Sequence, residues 1–207
     1  MAKIDFKKTL PSYKAKAGKF EIITLPKTRY LMIDGFGDPN TSEEYKTAIR
    51  TLYPVAYKVK FASKIDLKKD YVVPPLEGLW WADDMTVFTS GRDKSKWSWT
   101  LMIMQPSWIT QELFLDAVKV AGIKDKTLLD SLDKVRLQSL EEGLCVQTLH
   151  IGPYDEEAET LHYIHNTFVP EHHLKMTQKH HEVYISDVRK TAPEKLKTIL
   201  RQPVLKI

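Results

Sequence analysis

Apolar and polar residues alternate with a period of two through His180-His181-Glu182-Val183-Tyr184-Ile185-Ser186-Asp187, which predicts a strand with two unlike faces. Val183 and Ile185 are expected to face a helix-covered core, with His180, Glu182, Tyr184 and Ser186 on the opposite side. Two other β-rich runs, Tyr30–Asp34 and Val146–Ile151, each lead into a glycine turn and then a helical pattern. In the first helix Tyr45, Ala48, Ile49, Leu52 and Ala56 share a face. Thr41 and Glu44 read as a capping box, and Pro54 predicts a kink or a break. In the second, Asp155 is the expected N-cap, with Glu156 and Glu157 where the helix dipole favours acids. Ala158, Leu161, Ile164 and Phe168 form its predicted buried stripe. Residues 110–121 and 127–138 predict two connecting helices with Gly122 at their junction, and Pro193 predicts a short C-terminal helix carrying Leu196 and Leu200.

These elements echo one another. Both helical patterns end near a proline, at Leu52-Tyr53-Pro54 and at Phe168-Val169-Pro170. Beyond each proline comes a strand with a glutamate, Pro75-Leu76-Glu77-Gly78-Leu79-Trp80-Trp81 in the first half and His181-Glu182-Val183-Tyr184 in the second. The expected fold is α+β: two pseudo-symmetric β-α-β-β units forming one domain with a ligand cleft, plus connecting helices. The units span about 19–106 and 141–207, with the connecting helices at about 107–140, in one domain over 1–207.

Composition narrows the function classes. The net charge of +4 comes from scattered lysines, so no phosphate-tracking basic block forms and no nucleic-acid partner is expected. No apolar run approaches the ~18 residues of a membrane span, and the N-terminus has no signal-peptide core, so a cytoplasmic protein without a membrane partner is expected. The single Cys145 excludes an internal disulfide and reads as an inert core thiol between apolar neighbours.

The candidate chemistry lies in acids set among aromatic side chains. Glu182 is flanked on its face by His180, Tyr184 and Ser186, a partly apolar setting of the kind that raises a carboxylate's pKa. All five tryptophans fall within residues 80–108. Trp97 and Trp99 share a face, as do Glu77, Leu79 and Trp81, whereas Trp80 and Trp108 read as core. Flat indoles around a carboxylate suit a planar aromatic ligand, a cationic one included. All seven histidines lie between residues 150 and 181, but none of their spacings is an established metal motif, so no metal is expected. No Gly-x-Ser-x-Gly turn is present, and Gly35-Phe36-Gly37 lacks the third glycine of a dinucleotide loop. No cofactor is expected.

Taken together, Tyr30–Gly35, Pro75–Trp81, the Trp97-x-Trp99-Thr100-Leu101-Met102-Ile103-Met104-Gln105-Pro106 run and His181–Asp187 resemble the stand-alone GyrI-like small-molecule-binding proteins over roughly residues 1–190. That family is similar in fold to the effector-binding domains of multidrug-sensing transcription regulators. The regulators' helix-turn-helix reader is missing, and residues 1–19 show no recognition-helix pattern. The resemblance implies an aromatic small-molecule ligand and, for some members, hydrolysis of cyclopropane-bearing aromatic DNA alkylators by water addition, a detoxification. On that reading Glu182 is the general base, Tyr184 stabilises the phenolate, and Glu77 is a second acid/base or an anchor. Trp81, Trp97, Trp99, Leu79 and His180 line the ligand. The alternatives are a non-catalytic protein that sequesters aromatic or cationic drugs and, a minor reading, a modulator of a nucleic-acid enzyme, for which little speaks because the net charge is positive and no acidic mimic face is evident. The chain is expected to be a monomer or a homodimer.

Overall fold

The structure, a computed structural model, describes residues 2–84 and 93–207. A short helix α1 (Phe6–Thr9) precedes strands β1 (Glu21–Leu25) and β2 (Thr28–Phe36), the long helix α2 (Glu43–Asp66), and strands β3 (Leu76–Trp81) and β4 (Ser98–Gln105). Helices α3 (Gln111–Lys124) and α4 (Leu129–Leu132) lead to β5 (Arg136–Leu140) and β6 (Gly143–Ile151). The chain ends with α5 (Glu157–Tyr163), a π-helical turn (Ile164–Phe168), α6 (Val169–Glu171) and strands β7 (Leu174–Met176), β8 (His180–Tyr184) and β9 (Lys197–Lys206).

Among the described residues the strands form one antiparallel sheet in the order β1-β6-β9-β8-β3-β4-β2-β5, with β7 paired to β9. Exchanging β1 with β5, β2 with β6, β3 with β8 and β4 with β9 returns this order read backwards. The two predicted units therefore meet edge to edge at β3 and β8. Each unit also lends its leading strand to the other, since β1 pairs with β6 and β5 with β2.

The central strands are buried on both sides, with every residue of β3 but the last buried and β4 covered throughout but for its first residue. Such strands read as continuous apolar runs, which is why LEGLWW and SWTLMIMQ show so little alternation. On one side, here the helix face, Leu31, Ile33, Trp80, Trp99, Leu101 and Ile103 pack against Ala48, Leu52, Val55 and Val59 of α2 and Phe114 and Ala117 of α3. Farther along the same face, Val146, Leu200 and Val204 pack against Ile164, Phe168 and Val169. On the reverse face, Tyr30, Met32, Leu79, Met102, Met104, Val183 and Ile199 are covered by the N-terminal arm through Tyr13, Leu10 and Phe6.

Several expectations are corrected. Val183 and Ile185 lie on the reverse face under the arm, and Glu182 and Tyr184 on the helix face. The assumption that the helices take the β-branched side failed because both faces are covered. Helix α2 starts at Ser42, whose Oγ accepts from Tyr45 N–H at 3.2 Å, and runs past Pro54 to Asp66. Its tertiary packing outweighs the roughly 3 kcal/mol that an internal proline costs. The second helix likewise passes Pro170, which occupies the first turn of α6. The N-cap position of α5 is Glu156 in place of Asp155, which pairs with Lys94 at 2.7 Å. Gly122 lies inside α3, where a Cβ would press 3.0 Å from Leu129, and residues 136–140 are edge strand β5 in place of helix. The predicted C-terminal helix is a single turn (Pro193–Lys195) followed by β9 at the heart of the second unit.

Candidate functional site

Strand β8 carries polar groups to both faces of the sheet. Its pairing with β3 sets Gly78 opposite Glu182 and Glu77 opposite Val183. Side chains directly opposite share a face, so Glu182 belongs to the helix face and Glu77 to the reverse face. The two acids do not line one cleft, and Glu77 is not the symmetry counterpart of Glu182.

On the helix face the Tyr184 hydroxyl donates to Glu182 Oε2 at 2.7 Å and accepts from Trp80 Nε1 at 3.1 Å. Gly78 makes room for this junction, since a Cβ there would sit 2.9 Å from Trp80 Nε1 and 3.1 Å from the Tyr184 oxygen. Burial, then the charge of Glu182, pushes the Tyr184 phenol well above its usual range. Tyr45 from α2 lies beside Tyr184 and stacks at 6.1 Å on Trp80. Tyr154, half open to solvent, meets the Tyr184 ring edge-on at 5.6 Å, and Trp97 meets Trp80 at 5.7 Å. His180 Nε2 lies 3.5 Å from Glu182 Oε1. Aromatic rings thus surround one carboxylate.

A second carboxyl joins it. Glu157 opens α5 and is only 4% exposed. Burial first, and then the neighbouring charge of Glu182, push its pKa up to about 9, so it holds a proton at neutral pH. Its side chain lies beside the Thr198 hydroxyl, and His180 Nδ1 has no hydrogen-bond partner among the described residues. Buried polar atoms are rarely left so, and a buried acid beside a second carboxyl and a set of aromatic rings makes this cluster the candidate site. A buried carboxyl with a raised pKa beside a second carboxyl is an arrangement suited to a general acid.

The reverse face is a closed network. His181 is fully buried, and its Nε2 lies 2.9 Å from Glu77 Oε2 and its Nδ1 2.8 Å from Glu142 Oε1. Donation from both ring nitrogens requires the imidazolium. Burial opposes that charge, but the two carboxylates outweigh it and raise the pKa. Tyr13 donates to the other oxygen of Glu77 at 2.7 Å, and Arg201 pairs with Glu142 at 3.5 Å while donating to the Ser12 carbonyl at 2.7 Å. Two acids and two cations cancel, and the network pins the N-terminal arm to the sheet.

The expected site residues are therefore divided. Glu182, Tyr184, His180 and Trp97 converge on the helix face. Trp99 shares that face but is 0% exposed, a core indole meeting Tyr45 edge-on at 5.2 Å. Glu77, Leu79 and Trp81 point the other way, with Trp81 under the Lys179 ammonium. Cys145 is buried beside Glu142, and burial drives its thiol up to about 12, out of reach of nucleophilic use. Among the described residues no cluster of three or more metal-binding side chains occurs, and no helix is long and apolar enough to cross a membrane.

The profile of the GyrI-like small molecule binding domain matches residues 18–205. The chain belongs to the GyrI-like family. None of the curated proteins compared with this GyrI-like chain matches it. Two solved structures from Listeria innocua are similar over nearly its whole length. One, described as an uncharacterized conserved protein, is 41% identical with a TM-score of 0.89, covering 98% of this chain and 100% of the other. The second, described as a hydrolase, is 40% identical with a TM-score of 0.84 over the same shares. The C-terminal domain of EcmrR is 13% identical with a TM-score of 0.56, covering 91% of this chain and 98% of that domain, and shares the GyrI-like fold.

Sequence reasoning missed Glu157, Trp80, Tyr45 and Tyr154. Glu157 was legible in principle: it stands four and seven residues before Leu161 and Ile164 on the inward stripe of the second helix. The dipole preference for acids in a first turn explained it too readily as surface. Trp80 was assigned to the core, where its ring does lie, but its N–H reaches the site.

Proposed function

We propose that this GyrI-like protein hydrolyses cyclopropane-bearing aromatic compounds, opening the strained ring by addition of water. The observation that carries this reading is the buried Glu157 beside Glu182 among aromatic rings, with burial and the charge of Glu182 raising the Glu157 pKa to about 9. The 40% identity to a structure described as a hydrolase supports an enzymatic role.

In the proposed reaction Glu182, as carboxylate, takes a proton from a water whose oxygen attacks the cyclopropane methylene. The C–C bond breaks, and its electron pair moves through the conjugated ring to the carbonyl oxygen, which becomes a phenolate. Glu157 supplies the hydrogen bond and then the proton that this oxygen requires, and the substrate gains one water overall. Tyr184, held between Trp80 and Glu182, fixes the orientation of the base through the one O–H that it donates to Glu182. Tyr45, Trp80, Trp97 and Tyr154 hold the flat ring so that the water meets the correct carbon.

A mass-spectrometric time course of a cyclopropane-bearing alkylator with wild-type protein, Glu182→Gln and Glu157→Gln tests this. The expected result is a product one water heavier, with turnover reduced at least a hundredfold in each variant. An unchanged compound under single-turnover conditions overturns it. The acid within an aromatic box favours a second reading, a sequestering protein for cationic aromatic drugs. That reading predicts quenched tryptophan fluorescence with an intact ligand and weaker binding by Glu182→Gln.

A further inference from the structure

The reverse face keeps one open groove that the N-terminal arm does not fill. It has a volume of about 320 Å³ and lies between β5 and the turn joining β7 to β8. Met32 and Leu79 form its floor, and Arg136, Lys179 and Glu142 reach its wall. The volume is at the lower end for small-molecule sites, enough for a bicyclic ring.

Its charges are unequally answered. Glu142 is neutralised from behind by His181 and Arg201. Asp34 is held by Arg136 at 2.9 Å and by the Thr100 hydroxyl at 2.7 Å. Lys179 has no carboxylate within ion-pair distance among the described residues; its ammonium stands 3.0 Å above the centre of the Trp81 ring. Burial, together with the nearby Arg136, lowers the Lys179 pKa, against the pull of Asp34. Arg136 spends Nε on Gln138 at 2.7 Å and Nη2 on Asp34, which leaves Nη1 as a donor. The two cations therefore face an apolar floor, with Asp34 paired to Arg136 and Glu142 already answered from behind. Gln178, just before Lys179, has a left-handed backbone (φ 53°), a conformation uncommon outside glycine that sets the direction of this turn.

We infer that this groove is a second ligand site, one that takes a small carboxylate with a flat apolar body. The carboxylate bridges Lys179 and the free face of Arg136, and the ring lies on Met32 and Leu79. The site is separated from Glu182 by the thickness of the sheet, and it stands or falls independently of the proposed hydrolysis.

Calorimetric titration with naphthalene-2-carboxylate tests it, with naphthalene-2-carboxamide as the neutral match. The expected result is saturable binding of the carboxylate at least tenfold tighter than of the amide, weakening as salt is raised. Lys179→Gln and Arg136→Gln are expected to weaken it at least tenfold, Lys179→Arg to retain it, and Glu182→Gln to leave it unchanged. No binding to the wild type, equal binding of the amide, or indifference to Lys179→Gln overturns the site. Loss of binding in Glu182→Gln overturns it as well, by placing the probe on the helix face.

Discussion

Neighbouring residues of one strand serve two unlike polar clusters. His181 enters a network in which both ring nitrogens, both Glu77 oxygens and both Glu142 oxygens have partners, and only Arg201 Nε is left over. His180 and Glu182, on either side of it, enter a cluster that brings a buried second acid, Glu157, beside Glu182 and leaves His180 Nδ1 without a hydrogen-bond partner among the described residues. Burial alone does not separate the two, since each contains groups shielded almost completely from water. Satisfaction does. A network whose charges cancel and whose donors are matched holds the molecule together, whereas a cluster in which one acid raises the pKa of another is the kind of setting found at functional sites.

The sharpest way to break this comparison is to remove one partner from each side. Glu77→Leu leaves His181 and Tyr13 without their shared acceptor, and a broken buried pair is expected to cost about 3–5 kcal/mol in denaturant unfolding. Glu182→Gln is expected to stay within about 1 kcal/mol of the wild type. Equal losses would make both clusters scaffolding. Next in size, Tyr184→Phe should lower turnover about a hundredfold while costing about 1 kcal/mol of stability; single-turnover rates and melts of the same sample separate the two effects.

The trapped proton on Glu157 has a pH signature. Burial and the charge of Glu182 push its pKa from the ordinary 4.5 up to about 9 in the folded protein. Below the lower value both states are protonated and it contributes nothing. Between the two values the unfolded chain releases the proton and the folded one keeps it, so stability falls as pH rises. Glu157→Gln should remove up to about 1.4 kcal/mol per pH unit of that slope, seen in melts at pH 5, 7 and 9 as a variant that gains on the wild type with each step. A flat difference would mean that Glu157 is not protonated in the folded protein. The smallest effect expected is that of Gly78→Ala, whose methyl group pushes on Trp80 and Tyr184 and should cost about tenfold in turnover with an unchanged substrate complex.

Much of the fold was legible because the unit repeats. The β-α-β-β order, the α2 stripe and the Glu182–Tyr184 strand all follow from periodicity in short windows. The faces were not legible, because β3, β4 and β9 are covered on both sides and a two-sided strand gives no sign of which side the helices take. For the same reason Glu77, Leu79 and Trp81 were grouped with Glu182 although the pairing of Gly78 with Glu182 sends them the other way. The C-terminal segment misled through Pro193, a good first-turn residue whose helix lasts one turn before the chain enters β9. Glu157 was hidden by being a common residue in a common place.

The exchange of β1 and β5 makes the two halves interlocked, like hands with crossed thumbs. A cut in the exposed stretch between α4 and β5 gives two fragments, each carrying one strand that fits only on the other. The helix-face cluster straddles the same cut, with Tyr45 and Trp80 on one fragment and Glu157, Glu182 and Tyr184 on the other. Neither piece alone holds both Trp80 and the two acids, so return of the Trp80 environment in tryptophan fluorescence on mixing would report reassembly directly.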